Sequence, residues 1–164
     1  LVGLLASCGT NLNKKNVDGS PIWTTIIPSS SRQIYGVGKA KLTLDANSEQ
    51  AADTVARSNL SKKIESTMKE FNTQYTMDTE GKTAQAYEQL IVETVNLTLR
   101  KVTVEQRWRA PDGTVWSLVS FPTKELPTVY SETAKRVAAE SINAQVLAKE
   151  VEKFLESKGY DLGD

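Results

Sequence analysis

The chain has 164 residues, enough for one domain with a core that needs no staples. Its 20 basic and 20 acidic residues cancel to a formal net charge of zero, and no block of like charge resembles a nucleic-acid arm, so no nucleic-acid partner is expected. There is no histidine and only one cysteine, which removes Ser-His and Cys-His nucleophile pairs, imidazole metal sites, an internal disulfide and a thiolate zinc cluster.

In chain order, the first stretch is Leu1-Val2-Gly3-Leu4-Leu5-Ala6-Ser7-Cys8. An apolar run at the terminus reads as the end of a signal-peptide core, truncated because it lacks a starting Met and a basic lead. Leu5, Ala6, Ser7 and Cys8 have the pattern of a bacterial lipobox. Small side chains beside the scissile bond admit the peptidase, and the thiol of Cys8 is the nucleophile for lipid attachment. The bland alternative is a buried core cysteine, the ordinary fate of a free thiol. Residues 1–7 are thus read as a signal remnant, 8–30 as the lipid-attachment site and a flexible tether, and 31–164 as a single domain. Gly9 to Ser20, rich in Asn, Lys and Gly, is the leash.

Pro21, Trp23 and Pro28 frame a short extended segment in which the prolines oppose helix, with Trp23 covering an edge of the core. The period-two pattern of Tyr35, Val37, Leu42 and Leu44 predicts a strand with a glycine kink or bulge. Its Gly36-Val37-Gly38 lacks the third glycine and the Walker spacing of a phosphate loop, and reads instead as a close approach of another backbone. A long helix follows, capped at Asn47 or Ser48, with a buried stripe of Ala51, Ala52, Val55, Ala56, Leu60, Ile64, Met68 and Phe71. Lys62 and Lys63 belong to its wet side.

A shorter helix is predicted from Ala84, giving way to strand near Leu97 as β-branched residues accumulate. From Leu99 to Trp108, Val102, Val104 and Trp108 share one face. Ala110-Pro111-Asp112-Gly113 predicts a type I turn with a G1 bulge, which sets Trp108 opposite Trp116 and Gln106 opposite Leu118. A two-residue turn would pair Val104 with Val119 and Val102 with Phe121 instead. The turn chemistry favours the first register, which puts Val115, Val119 and Phe121 on a face that needs cover. From Leu126-Pro127 a single helix of about seven turns is predicted to run to Gly159, with its far end free for a partner.

The lipobox, Pro21 and Trp23, Ile34-Tyr35-Gly36-Val37-Gly38 with Ala40, the alanine-rich helix with Ala51, Ala52, Ala56 and Arg57, and Trp108 followed by Asp112-Gly113-Thr114-Val115-Trp116 and Leu118-Val119 together resemble the LPP-type bacterial lipoproteins. The resemblance implies an α+β domain, a small antiparallel sheet with long helices packed on one face, tethered to the outer membrane. It is related to flagellar outer-membrane lipoproteins, some of which build or support envelope rings. It carries over one functional residue, Cys8, as the lipid-attachment site, and implies no catalytic residue, cofactor or metal. The expected partners are the membrane, through the N-terminal lipid, and other envelope proteins or further copies of the chain. The reading is therefore a non-enzymatic structural or assembly element. Its alternatives are a periplasmic binding module for a small ligand or peptidoglycan, which requires a concave polar pocket, and a carboxylate hydrolase, which requires two acids facing across a cleft.

Overall fold

The computed structural model describes residues 11–75, 81–137 and 144–163. Among them are three strands and four α-helices: β1 (Gln33–Ala40), α1 (Asp45–Tyr75), α2 (Gly81–Arg100), β2 (Thr103–Arg109), β3 (Val115–Pro122), α3 (Leu126–Val137) and α4 (Ala144–Ser157). The strands form one antiparallel sheet in the order β1-β3-β2. The class is α+β, with the helices on one face.

Residues directly opposite in an antiparallel pair share a face. Ile34 lies opposite Phe121, Gly36 opposite Val119, and Gly38 opposite Ser117. This is the side that α1 covers, and the two glycines set how closely it lies. A Cβ on Gly36 would fall 2.3 Å from the carbonyl oxygen of Ala56, and one on Gly38 would fall 2.2 Å from the Ala56 nitrogen. The helix therefore rests on bare backbone. Ala52, Ala56, Leu60, Ile64, Met68 and Phe71 form its buried stripe, while Val55 is exposed. The strand itself is regular, with neither kink nor bulge, and Leu42 and Leu44 lie beyond it in an exposed loop. The helix begins at Asp45, so Ser48 sits inside the first turn, where its Oγ accepts a 2.8 Å hydrogen bond from the Leu42 amide.

At 31 residues, α1 spans about 46 Å, whereas an eight-residue strand reaches about 27 Å. Its second half overhangs the sheet and is buried by other helices. Phe71 meets Tyr130 of α3 edge-on at 5.7 Å and Phe154 of α4 at 5.5 Å. The Tyr130 hydroxyl donates to Asn72 Oδ1 at 2.6 Å, and burial pushes its pKa far up.

The C-terminal region departs from the expected single helix. Helices α3 and α4 pack side by side, and the end expected to be free is instead core, with Leu147, Val151, Phe154 and Leu155 buried. Helix α4 does stop where Gly159 predicts: Gly159 has φ +89°, and the Tyr160 amide reaches back to the Leu155 carbonyl. The tail then returns to the sheet. The Asp161 amide donates to the Ser31 carbonyl, and Arg32 pairs with the Asp161 carboxylate at 2.6 Å.

Helix α2 runs to Arg100, past the predicted switch to strand near Leu97. Burial of Leu90, Ile91, Thr94 and Thr98 outweighs the modest helix cost of β-branched residues.

The segment read as an unstructured leash has a defined path from Asn11 onward. The Ile22 amide bonds to the Lys14 carbonyl, Lys15 bridges to Pro21, and a turn at Asn16–Gly19 closes with Gly19 at φ +83°. Ile22–Thr24 is a short 3-10 turn rather than an extended segment. Pro21 stands just before it, a position where a missing N–H removes no bond.

Candidate interaction surface

The hairpin reconciles the two registers that compete in the sequence. Gly113 adopts φ +87°, its amide donates to the Ala110 carbonyl, and the Ala110 amide donates to Thr114. Trp108 pairs with Trp116 and Gln106 with Leu118, as the bulged turn predicts, yet Val104 still faces Val119. One extra residue, Glu105, absorbs the difference in a bulge. The bulge moves Trp108 away from the face of Val104, contrary to the simple alternation.

That phase change sorts the side chains of the sheet. Val104, Arg107 and Arg109 join the helix face. Arg107 grips Asp53 of α1 through Nε at 3.0 Å and Nη2 at 2.5 Å, and Ser117 Oγ donates to Asp53 Oδ1 at 2.6 Å. The Arg107 guanidinium holds the Asp53 carboxyl below its ordinary pKa, with Ser117 assisting against the opposing effect of burial. Arg109 pairs with Asp45 at 2.7 Å and Glu49 at 3.3 Å. Spaced four apart, these three acids form one line along α1, which straps the edge strand to the helix.

Among the described residues no α-helix covers the opposite face. Tyr35, Val37 and Lys39 of β1, Trp116, Leu118 and Ser120 of β3, and Gln106 and Trp108 of β2 project from it. Its cover comes from the N-terminal segment: Trp23 is wholly buried, and its Nε1 donates to Gln106 Oε1 at 2.8 Å. Both Trp108 and Trp116 keep part of their rings in solvent, and Lys39 Nζ lies 4.9 Å from the Trp116 ring centre. Ser120 donates to Glu105, and Tyr35 is pushed above its usual pKa by burial and then by the Glu105 charge. Just after Trp23, Ile26 and Ile27 are 62% and 52% exposed. The sheet face thus presents two part-exposed tryptophans with the polar groups of Lys39, Gln106 and Glu105 beside them.

The described residues form several surface clefts. One lies at the C-terminal strap between Arg32, Gln33, Lys124 and Asp161, where Gln33 Oε1 is buried without a partner. Another runs between α1 and α2 beside Lys69, Tyr87 and Ile91, with Glu65 and Glu88 on its rim. Glu65 is paired with Lys69 at 2.6 Å. Among the described residues no cluster of three acids or thiols could hold a metal, and no helix is long and apolar enough to cross a membrane. Cys8, the predicted lipid-attachment site, lies outside the described residues, as do the signal remnant 1–7 and Gly9.

The Trp108–Trp116 pair was legible from the turn residues Pro111 to Gly113, whereas the Gln106 contact of Trp23 joins residues 83 apart and had no signal in the sequence.

Taken together, these features define an α+β domain with one helix-backed sheet whose other face is aromatic and closed by its own N-terminal segment. A family model described as LPP20 lipoprotein matches residues 21–121, and the chain belongs to that family. The matched span runs from Pro21 through β3, so Cys8 precedes it and α3 and α4 follow it. No curated protein matches the chain. Among solved structures, it is similar to the secreted protein HP1454 from the human pathogen Helicobacter pylori, with 14% identity and a TM-score of 0.33. That similarity covers 80% of this chain and 55% of the other, so the chain spans about half the length of that structure.

Proposed function

We propose that the protein is a non-enzymatic lipoprotein of the bacterial cell envelope, anchored in the outer membrane through acyl groups on Cys8 and acting through protein contacts as a structural or assembly element. Membership of a lipoprotein family supports the anchor, and Leu5-Ala6-Ser7-Cys8 supplies the sequence it needs. The observation that carries the contact role is the sheet face with part-exposed Trp108 and Trp116, which no α-helix among the described residues covers, together with the exposed Ile26 and Ile27 that follow Trp23 in the chain. Aromatic residues with a polar rim are the composition that protein interfaces favour.

Mass spectrometry of the mature N-terminus from membranes of the native host tests the anchor. The expected peptide begins at Cys8 and carries acyl chains, and a Cys8→Ser variant fails to mature. An unmodified Cys8 in an uncleaved chain would overturn it. A photo-crosslinking residue at Ile26 tests the contact role: adducts with another envelope protein or a second copy support it, and their absence, with adducts recovered from a control position such as Lys149, refutes it.

A second reading, a binding module for a small ligand or peptidoglycan, is favoured by Gln33 Oε1, which is buried without a donor beside Arg32 and Lys124. A buried acceptor of this kind leaves a donor wanted. Titration with a purified muropeptide should then shift the Gln33 side-chain amide resonances, and unmoved resonances at saturating concentrations would remove this reading.

A further inference from the structure

The sheet has two outer edges, and they are protected in different ways. A strand with one neighbour presents a row of unpaired carbonyl and N–H groups, a template for another strand. On β2 the bulge at Glu105 breaks that row, and Glu105, Arg107 and Arg109 charge it. On β1 the sequence itself offers little defence. Gln33-Ile34-Tyr35-Gly36-Val37-Gly38 holds no charge and no proline, and the strand is unbulged over its eight residues. A short, regular edge whose first six residues carry no charge, with Lys39 alone charged near its end, invites pairing.

The defence comes from α1. Lys63 Nζ donates to the Tyr35 carbonyl at 2.6 Å, and Asn59 Nδ2 donates to the Val37 carbonyl at 2.9 Å. These two carbonyls alternate along the strand, as the acceptors of one edge do. Both donors can reach it because Gly36 and Gly38 let α1 lie directly on the strand. Lys63 is more than an incidental surface cation. Its side chain is half-buried, desolvation lowers its pKa, and no carboxylate is paired with it.

We infer that Asn59 and Lys63 are guards of the β1 edge, occupying the Tyr35 and Val37 carbonyls and so closing that edge to strand addition by a second copy of this chain. An incoming β1 of another copy would need the same acceptors, in an antiparallel pairing related by a two-fold axis. It could take them only by displacing both side chains. Any self-association of the native protein must accordingly use another surface, and this holds whether or not Cys8 is acylated.

The test uses the full chain carrying Asn59→Ala and Lys63→Ala together, compared with wild type by sedimentation velocity and amide hydrogen exchange across a concentration series. The expected result is a mass at least double that of wild type at the same concentration, with new protection at the Tyr35 and Val37 amides. Adding Val37→Pro to the double variant should return the mass to the wild-type value, because proline removes an outward N–H of that edge. That third substitution separates edge pairing from aggregation caused by loss of stability, which proline would worsen. A double variant with wild-type mass and unprotected β1 amides would overturn the inference, as would a mass increase that Val37→Pro leaves in place.

Discussion

Replacing Gly38 by alanine places one methyl group where the backbone of α1 already lies. The new Cβ would sit 2.2 Å from the Ala56 nitrogen, 2.5 Å from the Ala52 carbonyl oxygen and 2.8 Å from the Val55 carbonyl carbon. Ordinary contact begins at 3.4 Å, so the shortest of these must open by 1.2 Å. None of the three atoms belongs to a rotatable side chain. Relief requires α1 to lift from the sheet, which loosens Ala52, Ala56 and Leu60 together and strains the Asp53 pairing with Arg107. Overpacking of this kind costs about 1–3 kcal/mol, and contacts made entirely by backbone argue for the upper end. For a domain of this length the melting temperature should fall by roughly 6–12 °C. The competing account, that glycine is there only for flexibility, has the opposite sign: alanine would then stabilise the strand by about 0.5–1 kcal/mol. Calorimetric melting of wild type and Gly38→Ala decides between them. An unchanged or raised midpoint would refute the close-packing argument, and a substitution at Ala56 should not rescue the variant because its backbone is the obstacle.

Trp23→Ala should cost about 3–5 kcal/mol, since a fully buried indole is removed and Gln106 Oε1 loses its donor, whereas Trp23→Phe should lose about 1 kcal/mol for the hydrogen bond alone; chemical denaturation measures both. Asp53→Asn should lose on the order of 1–2 kcal/mol at neutral pH, after allowance for the partial exposure of Arg107. Because the folded pKa of Asp53 lies below its ordinary 3.8, its contribution is complete above that value and disappears as pH falls through the folded one. Wild type and Asp53→Asn should therefore converge in stability on acidification, and curves that stay parallel would exclude the linkage.

Close reading of the sequence reached the architecture through features that are local. Pro111, Asp112 and Gly113 specify their turn by their own backbone preferences, Gly159 ends a helix for the same reason, and the alanine and glycine positions announce a close helix-strand contact. What escaped detection depends on distant partners. The bulge at Glu105 exists because the hairpin turn and the core demand registers one residue apart, and neither demand is visible from β2 alone. The extension of α2 through Val95 and Thr98 reflects burial that overrides local preference. Leu147 and Phe154 are buried because α4 packs back against α3 and onto Phe71, contacts that one continuous helix could not make. The roles of Asn59 and Lys63 are equally nonlocal: in sequence they are polar residues on a helix, and only the short distance across the glycines turns them toward β1. The face carrying Trp108 and Trp116 was legible from the turn register, which set the pair on the side opposite Val115, Val119 and Phe121, but the separation of Trp108 from Val104 followed from the bulge.

The fastening of the N-terminal segment has a geometric consequence for the proposed anchor. The chain is bound to the domain from Lys14, whose carbonyl accepts from Ile22. From Cys8 to Lys14 is six residue steps (14 − 8), which reach about 20 Å even when fully extended. An acylated Cys8 would thus hold the domain against the lipid headgroups, within less than the thickness of a bilayer's hydrocarbon core of about 30 Å. With that anchor the corner where Ile22 binds Lys14, beside Trp23, would be the part of the domain nearest the membrane.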